Sequence, residues 1–249
     1  RDQMKIVIEK AADEMGAAAA RHTAELLNHA IEVNDCARLI LSTGASQFET
    51  LKVLVKLDVD WTKVEMFHLD EYVGLPESHV ASFRKYLKER FVAQLPTPLK
   101  DAYFVNGEGD IKENIARLSE ELKKQPADVG LIGIGENGHI AFNDPPADLD
   151  CTDCYKVVDL NERCKKQQVG EGWFHDTDHV PTQAISMTVQ QILKCKHILS
   201  AVPGERKAEA IYNTLTQTPN DQIPATMLKT HGDWTLYLDS GSASKIIPY

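Results

Sequence analysis

The sequence predicts an α/β protein, a single-domain, doubly wound, mostly parallel sheet with helices on both faces and a lid segment. Short apolar segments of strand length alternate along the chain with longer segments whose apolar residues recur at helical spacing. Such alternation is typical of parallel strands joined by crossover helices. Because repeats, low-complexity tracts and long linkers are absent, residues 1–249 are predicted to form one domain.

The first half of the chain alternates between the two patterns. Residues 5–33 are predicted to form a helix, because apolar residues recur at nearly helical spacing from Ile6 to Ile31. The apolar run 37–41 is predicted to be a strand, and helix 47–57 follows with one apolar face. Strand 64–69, helix 82–91 and strand 103–105 come next. The four basic residues of helix 82–91 are interpreted as a solvent-exposed face; they are Arg84, Lys85, Lys88 and Arg90.

The second half continues the alternation. Helix 111–124 leads to strand 129–134, a short apolar run that ends at glycines. Residues 184–193 are predicted to begin a further helix, followed by strand 198–202, helix 207–215 and strand 234–238. In such a sheet the functional loops are expected at the carboxyl ends of the strands.

Composition excludes several classes of function. The chain is 43% hydrophobic and 26% charged, which is ordinary for a compact protein. A net charge of −10 argues against a nucleic-acid partner, because such proteins neutralise phosphates with basic residues. A single phosphate on a small molecule needs only a local group of donors. No apolar run approaches the roughly 18 residues of a membrane span, and the amino terminus lacks a signal-peptide core, so a cytoplasmic enzyme is expected.

The cysteines are predicted to be free thiols. Their number, five, is odd in a long chain, which fits reduced thiols better than a disulfide framework. Cys151 and Cys154 form a CxxC pair without the second pair of ligands that a structural zinc site needs. The acidic segment between His175 and His179 is interpreted as part of a loop over the active site. Neither a metal nor another cofactor is therefore expected.

A turn of small residues follows the first predicted strand. Thr43, Gly44, Ala45 and Ser46 lie between a strand and a helix, where backbone N–H groups can point at an anion. The turn is neither a P-loop nor a dinucleotide fingerprint, since it lacks both glycine patterns. A phosphate site and an ordinary helix-capping turn both fit this pattern.

Two adjacent acids, Asp70 and Glu71, follow the second strand. Because neighbouring side chains point in different directions, one of the acids can be a general base and the other its partner. A pair of solvent-exposed loop acids is the alternative. His68 lies inside the strand and is interpreted as a packed histidine.

The segment 130–146, GLIGIGENGHIAFNDPP, is predicted to be a catalytic loop. Its strand ends in glycines and then presents His139, which is how α/β enzymes place a titratable group at the edge of a sheet. Asn137, His139 and Asp144 are predicted to form an acid–amide–imidazole relay, in which the carboxylate fixes the tautomer of the ring.

Together these motifs resemble the glucosamine-6-phosphate deaminase (isomerase) family. The resemblance depends on TGAS at 43–46, LDEYVGLP at 69–76, GIGENGHIAFNDP at 133–145 and GERKA at 204–208, and the order holds over roughly residues 10–240. It implies a metal-free conversion of an amino-sugar phosphate to a keto-sugar phosphate and ammonia.

The resemblance also implies roles for individual residues. Asp70 would move a proton between C2 and C1, and His139 would help to open the sugar ring with support from Asn137 and Asp144. Lys207 and the turn at Thr43, Gly44, Ala45 and Ser46 would hold the phosphate. Glu71 and Gly138 are further expected substrate contacts.

The chain departs from the family pattern at several positions. Better-known members carry glutamate at the position of Asp144, and some members carry aspartate at that of Asn137. They also use an arginine in the region that reads VGEGWF at 169–174, whereas no arginine occurs here between Arg163 and Arg206. Cys154 lies where regulated members have an arginine, so allosteric activation is not expected.

Three alternatives remain open. A 6-phosphogluconolactonase would be expected to show DER and GHTAS where this chain has DEY and GHIAF. A deaminase for galactosamine 6-phosphate would differ only in pocket contacts that the sequence does not reveal. A catalytically silent sugar-phosphate sensor is the alternative that is not an enzyme. In each case the partner is a small sugar phosphate, neither nucleic acid nor a membrane, and assembly into a homo-oligomer is left open.

Overall fold

The computed structural model describes residues 4–247 and contains two β-sheets with helices packed around them. The strands are β1 (Met4–Ile8), β2 (Ala37–Leu41), β3 (Val64–His68), β4 (Asp70–Tyr72), β5 (Asp101–Ala102), β6 (Val129–Leu131), β7 (Tyr155–Asp159), β8 (Gln183–Met187), β9 (His197–Val202) and β10 (Trp234–Leu238). The helices are α1 (Ala12–Asn34), α2 (Phe48–Leu54), α3 (Phe83–Arg90), α4 (Ile111–Lys123), α5 (Glu162–Gly170), α6 (Val189–Ile192) and α7 (Ala208–Thr216).

The large sheet has seven parallel strands in the order β1-β10-β9-β6-β2-β3-β5. This confirms the predicted α/β fold with a mostly parallel sheet. The strand order reverses between β2 and β6, which pair through Leu39 with Val129 and Ile40 with Gly130. In doubly wound folds a ligand binds at the carboxyl ends of the strands on either side of such a reversal. The loops that follow β2 and β6 are therefore the expected position of a ligand-binding site.

Two apolar clusters lie on opposite faces of this sheet. One face packs against α1 and α2 through buried residues that include Met15, Leu27 and Leu51. The other packs against α4 and α7 through Leu118, Leu122 and Ile211. Side chains that alternate along the strands serve both clusters, since successive residues of a strand point to opposite faces. Both faces are thus covered, and the strand ends remain available for the site.

A second sheet, which the sequence pattern did not predict, has three antiparallel strands in the order β4-β8-β7. The prediction of a helix over 184–193 is wrong in its first half, because residues 183–187 pair with both neighbours in this sheet. Its short apolar run fits a helix and a buried strand equally well, and only the pairing decides between them. The sheet carries the acidic segment that begins at Asp70.

The first predicted helix begins later than expected. Residues 4–8 form the edge strand β1, which pairs in parallel with β10 from Met4 opposite Trp234 to Ile8 opposite Leu238. This segment, MKIVI, is rich in β-branched residues, which favour strands. The predicted strand at 103–105 is also displaced, since the pairing with β3 involves Asp101 and Ala102. No helix within residues 4–247 has both the length and the hydropathy that crossing a membrane requires.

Candidate active site

A cleft of about 610 Å³, open to solvent, lies where the ends of β2 and β6 meet. It is bounded by the turn after β2, the loop after β6, the beginning of β4 and the end of α5. The residues that line it are Ser42, Thr43, Gly44, Ser46, Leu69, Asp70, Phe83, Gly133, Ile134, Gly135, His139, Ala141, Phe142, Gln167, Gln168, Glu171, Trp173 and Lys207. The three predicted groups Asp70, His139 and Lys207 therefore share one cavity, although they are far apart in sequence.

The turn at 43–46 forms one wall of the cleft. Gly44 has φ +99°, a conformation that side chains with a Cβ rarely adopt, and Thr43 and Ser46 line the cavity beside it. Ser42 ties the turn to the neighbouring strand, because its hydroxyl donates to the Leu131 carbonyl at 2.5 Å and accepts from the Gly133 N–H at 2.8 Å. The predicted contact Ala45 is exposed and does not line the cleft.

Lys207 supplies a cation to the same cavity. Its ammonium donates a hydrogen bond of 2.6 Å to the carbonyl oxygen of Ile134, in the loop after β6. Burial lowers the pKa of Lys207, while Glu171 and Glu136 oppose the shift. Its neighbour Arg206 is largely exposed and pairs with Glu136 at 2.9 Å. Lys207 thus places a positively charged side chain in the lining of the cleft.

Asp70 begins β4 and lies in the cleft with 8% of its surface exposed. Burial raises its pKa well above the usual range of an aspartate, and the neighbouring Glu71 carboxylate adds to this effect. A carboxylate that holds protons more strongly than usual is a better base. The position and the environment both suit the predicted base.

Glu71 does not contact the cleft, which corrects its prediction as a substrate contact. Its side chain is fully buried and pairs with Arg84 at 2.8 Å, and Arg84 itself is only 5% exposed. The expectation of a solvent-exposed basic face on helix 82–91 is therefore wrong at Arg84. Sequence spacing could not reveal this pair, because its partners are brought together only by the turn between β4 and α3.

The ring of His139 enters the cleft from the loop after β6. Nδ1 lies 2.7 Å from the carbonyl oxygen of Ala141. Because a carbonyl only accepts, Nδ1 carries a hydrogen and Nε2 is the nitrogen left to exchange a proton. Within residues 4–247, Nε2 is buried and has no hydrogen-bond partner. A Cβ at Gly135 would lie 2.0 Å from Nε2, so this close approach requires glycine there.

The predicted relay of Asn137, His139 and Asp144 does not form. Asn137 accepts through Oδ1 from the backbone N–H of His139 at 3.1 Å, so it holds the loop rather than the ring. The Ala141 carbonyl occupies the ring position that the relay assigned to the carboxylate. Both oxygens of Asp144 are buried without a hydrogen-bond partner in the described part of the chain. Burial, followed by the Asp144 carboxylate, raises the pKa of the Cys164 thiol.

Gly138 is required for the conformation of the loop after β6. It does not line the cleft, its φ is +83°, and a Cβ there would lie 2.7 Å from the Ile223 side chain. Its carbonyl accepts from the N–H of Ala225 at 2.8 Å. The glycine lets the loop turn against residues 223–225 and lies outside the lining of the cleft, which argues against the predicted substrate contact.

The end of α5 and the residues that follow it cover one side of the cleft. Gln167, Gln168, Glu171 and Trp173 line the cavity, and none of the four is among the site residues predicted from the sequence. Glu171 accepts from Gln167 Nε2 at 3.1 Å and from Trp173 Nε1 at 3.3 Å. Glu171 and Trp173 lie within the VGEGWF segment, and Gln167 and Gln168 directly precede it, so this segment was the signal that could have found them.

The five cysteines are free thiols, as expected. Across residues 4–247, histidine, cysteine, aspartate and glutamate side chains nowhere gather in a group of three that could hold a metal ion. The cleft therefore contains an ammonium group and a turn that can bind an anion. It also contains the buried Asp70 carboxylate and the His139 imidazole.

Comparison with known proteins places this site in context. The family model for glucosamine-6-phosphate isomerases and 6-phosphogluconolactonase matches residues 10–237. A glucosamine-6-phosphate deaminase of Latilactobacillus sakei subsp. sakei is 35% identical over 212 residues, which is 85% of this chain and 88% of the relative.

Solved structures agree with this result. A monomeric glucosamine-6-phosphate deaminase superimposes with a TM-score of 0.89 at 30% identity, covering 97% of this chain and 99% of the other. A putative 6-phosphogluconolactonase from Neisseria gonorrhoeae has a TM-score of 0.73 at 21% identity, covering 95% of this chain and 99% of the other. At that identity the second likeness concerns the fold alone.

Proposed function

Since the chain belongs to the glucosamine-6-phosphate isomerase/6-phosphogluconolactonase family, we propose that it converts glucosamine 6-phosphate and water to fructose 6-phosphate and ammonia. The observation that carries the proposal is the meeting of Asp70, His139 and Lys207 in one cleft beside the turn at 43–46. Each group has the chemistry that one step of the reaction requires.

Phosphate binding is assigned to Lys207 and the turn at 43–46. The ammonium is a point charge for a phosphate oxygen, and the turn offers backbone N–H groups and the hydroxyls of Thr43 and Ser46. Lys207 already donates to the Ile134 carbonyl, which fixes its ammonium at the cleft and leaves its other hydrogens for the ligand. The phosphate would thereby anchor one end of the sugar.

Ring opening is assigned to His139. The cyclic sugar opens when the proton of the C1 hydroxyl leaves and the ring oxygen gains a proton. His139 lines the cleft, its Nε2 has no protein partner among the described residues, and its Nδ1 is held by Ala141. One nitrogen is thus fixed for orientation and the other is available for proton transfer.

Proton transfer between carbons is assigned to Asp70. The carboxylate removes the proton from C2 while the C1 carbonyl oxygen takes up a proton from water, which gives an enol amine. Asp70 then returns its proton to C1, which leaves a protonated carbon–nitrogen double bond at C2. Water then adds to that bond and ammonia leaves, giving the ketose. Because burial raises its pKa, the Asp70 carboxylate accepts the C2 proton more readily than an ordinary aspartate does. These steps use side chains and water alone.

The direct test supplies the purified protein with glucosamine 6-phosphate, galactosamine 6-phosphate and 6-phosphogluconolactone in parallel. Ammonia release and ketose formation are followed for the amino sugars, and acid release for the lactone. Ammonia from glucosamine 6-phosphate is the expected result. Ammonia from neither amino sugar overturns the proposal. Lactone hydrolysis alone would identify a lactonase, and tight binding without turnover would identify a sensor.

Assembly and location stay predictions. One structural relative is a monomeric deaminase, whereas the sequence left a homo-oligomer open. We propose that this chain too acts as a monomer, because that monomeric relative superimposes on 97% of the chain with a TM-score of 0.89. Sedimentation at several protein concentrations tests this directly. A cytoplasmic location remains the expectation drawn from the sequence.

A further inference from the structure

Asp70 and the turn at 43–46 belong to different sheets. Asp70 begins β4 in the three-stranded sheet, whereas the turn follows β2 in the seven-stranded sheet. A substrate that spans both must meet them at a fixed separation. Helix α3 lies beside both groups, and its contacts suggest how that separation is set.

One end of α3 is held by Glu71, the residue next to Asp70. The buried carboxylate accepts from the backbone N–H groups of Phe83 and Arg84, each at 3.1 Å, and from the Ser82 hydroxyl at 2.9 Å. It also accepts from Arg84 Nε at 2.8 Å. A carboxylate at a helix N-terminus satisfies donors that lack partners within the helix, and the helix dipole favours its charge. Glu71 thus connects the strand of Asp70 rigidly to the beginning of α3.

Arg84 extends this connection to the surrounding loops. Its guanidinium donates to the Leu75 carbonyl at 3.0 Å, to Asn106 Oδ1 at 2.9 Å and to Glu108 at 3.0 Å. Buried charges of this kind are stable only when their donors and acceptors are satisfied. The network leaves the Glu71 carboxylate little freedom to move.

The other part of α3 is held to the turn. The hydroxyl of Tyr86 donates to the carbonyl oxygen of Gly44 at 2.6 Å. Its ring stacks on Phe48, the first residue of α2, with ring centres 5.8 Å apart, and Arg90 lies over the Phe48 ring. Helix α3 is therefore held at its N-terminus to strand β4, which contains Asp70. Through Tyr86 it is also held to the turn at 43–46.

We propose that Glu71 and Tyr86 are positioning residues, which act through α3 to hold Asp70 at a fixed distance from the turn that binds phosphate. The inference depends on the proposed function for its substrate. Neither residue reaches the reacting atoms, since neither lines the cleft. A displacement of about 1 Å between a catalytic group and its substrate can lower the rate by roughly 100-fold, so such a connection matters for turnover.

Tyr86→Phe tests the connection with the least disturbance, because the ring and its packing remain. The turn keeps its other supports, namely the Ser42 bonds to β6 and the Gln47 bond to the Ala201 carbonyl at 3.3 Å. We expect kcat/KM for glucosamine 6-phosphate to fall roughly 10-fold, mostly in kcat. We expect the inhibition constant of inorganic phosphate, which needs only the turn and Lys207, to stay within about twofold.

The matched control is Tyr212→Phe, on α7, whose side chain is exposed at 45% and lies outside the cleft. It should leave kcat/KM unchanged. Two results overturn the proposal: kcat/KM that is unchanged in Tyr86→Phe, or a phosphate inhibition constant that weakens as much as kcat/KM. The second result would mean that Tyr86 only shapes the turn.

Glu71→Gln tests the other fastening. The amide turns donors toward the helix N-terminus and leaves Arg84 without its counter-charge, so kcat should fall roughly 100-fold. Glu65→Gln is the control for stability, because it removes a comparable ion pair, Arg38–Glu65 at 2.7 Å, that lies outside the cleft. If Glu65→Gln loses as much turnover as Glu71→Gln, the positioning role is refuted.

The double variant Glu71→Gln/Tyr86→Phe shows whether the two residues act through the same helix or independently of each other. If both residues act through α3, the losses in kcat are less than multiplicative. Multiplicative losses refute the shared connection. Failure of the proposed function gives a different result. In that case the wild-type protein itself releases no ammonia, whereas failure of the positioning role leaves wild-type turnover intact.

Discussion

The imidazole of His139 is held through Nδ1 by the carbonyl oxygen of Ala141, at 2.7 Å. The carbonyl can reach the ring because Ala141 adopts a positive φ of 52°, an uncommon conformation for alanine. The backbone thereby performs the orienting role that the sequence analysis had assigned to a carboxylate. This relationship leaves Nε2 as the nitrogen that can exchange a proton in the proposed reaction, which leads to the first prediction.

His139→Gln should lower kcat for glucosamine 6-phosphate by roughly 100-fold or more, since positioned proton transfer contributes about that much. The amide can still bond to Ala141 but cannot carry a proton. Substrate affinity, measured by calorimetry, should change little. His29→Gln, on the surface of α1, is the control and should keep wild-type turnover. Near-normal kcat in His139→Gln would contradict the assigned role.

Asp70→Asn should abolish ammonia release while substrate binding stays nearly intact. In the wild type, turnover should rise with pH as Asp70 loses its proton. Because the pKa of Asp70 is raised by burial and by Glu71, that rise should lie above the ordinary value of 3.8. A rate profile whose acid limb lies at or below that value would contradict the assignment of the base.

The same substitution should stabilise the protein. The folded state holds the Asp70 proton more strongly than the unfolded state, so the free energy of unfolding falls as pH rises from 3.8 toward the raised pKa. Above the raised pKa the free energy of unfolding has lost the whole of this contribution. An asparagine at position 70 does not ionise, so the variant does not suffer this loss. Asp70→Asn is therefore expected to have a higher Tm than the wild type at neutral pH. An equal or lower Tm would show that Asp70 is not strained by burial.

Lys207→Gln should raise KM roughly 10- to 100-fold, because a hydrogen bond to a charged group contributes about 1.5–3 kcal/mol. Burial lowers the pKa of Lys207, so the ammonium loses its proton at a lower pH than the ordinary 10.5. Inorganic phosphate inhibition should accordingly weaken as pH rises toward that value. Lys52→Gln, on an exposed part of α2, is the control. An unchanged phosphate inhibition constant in Lys207→Gln would refute the anchor.

Gly44→Ala should weaken phosphate binding through the backbone. The φ of Gly44 is +99°, yet a Cβ there would meet no atom within 4 Å, so the expected effect comes from conformational strain and not from a clash. Gly232→Ala is the matched control, because it also has open space around a Cβ but no positive φ. Equal phosphate inhibition constants for the two variants would show that the turn tolerates the change.

Tyr72→Phe should increase the mobility of α5, the helix whose end covers one side of the cleft. Its hydroxyl donates to Gln168 Oε1 at 2.9 Å and so joins β4 to α5. Removing it leaves a buried acceptor unpaired, at a cost of about 1–3 kcal/mol. Hydrogen exchange of residues 162–170 should become faster, with residues 111–123 as the internal reference. Uniformly faster exchange in both helices would indicate general destabilisation instead.

Much of the fold followed from local pattern. The α/β alternation predicted the parallel sheet, and the glycine-rich ends of β2 and β6 marked the place of the cleft. The errors have a common cause. β1 and β8 are short apolar segments that fit a helix or a strand, and only their pairing with β10 and with β4 and β7 decides the outcome.

The sequence alone determined which chemical groups this protein could use, because Asp70, His139 and Lys207 stand in motifs of recognisable order. Only the tertiary structure decided how they are supported. The Ala141 carbonyl and not Asp144 holds the imidazole, and Arg84 and not a substrate pairs with Glu71. Side-chain partners depend on distances of a few ångströms between segments far apart in sequence, and such distances exist only once the chain has folded.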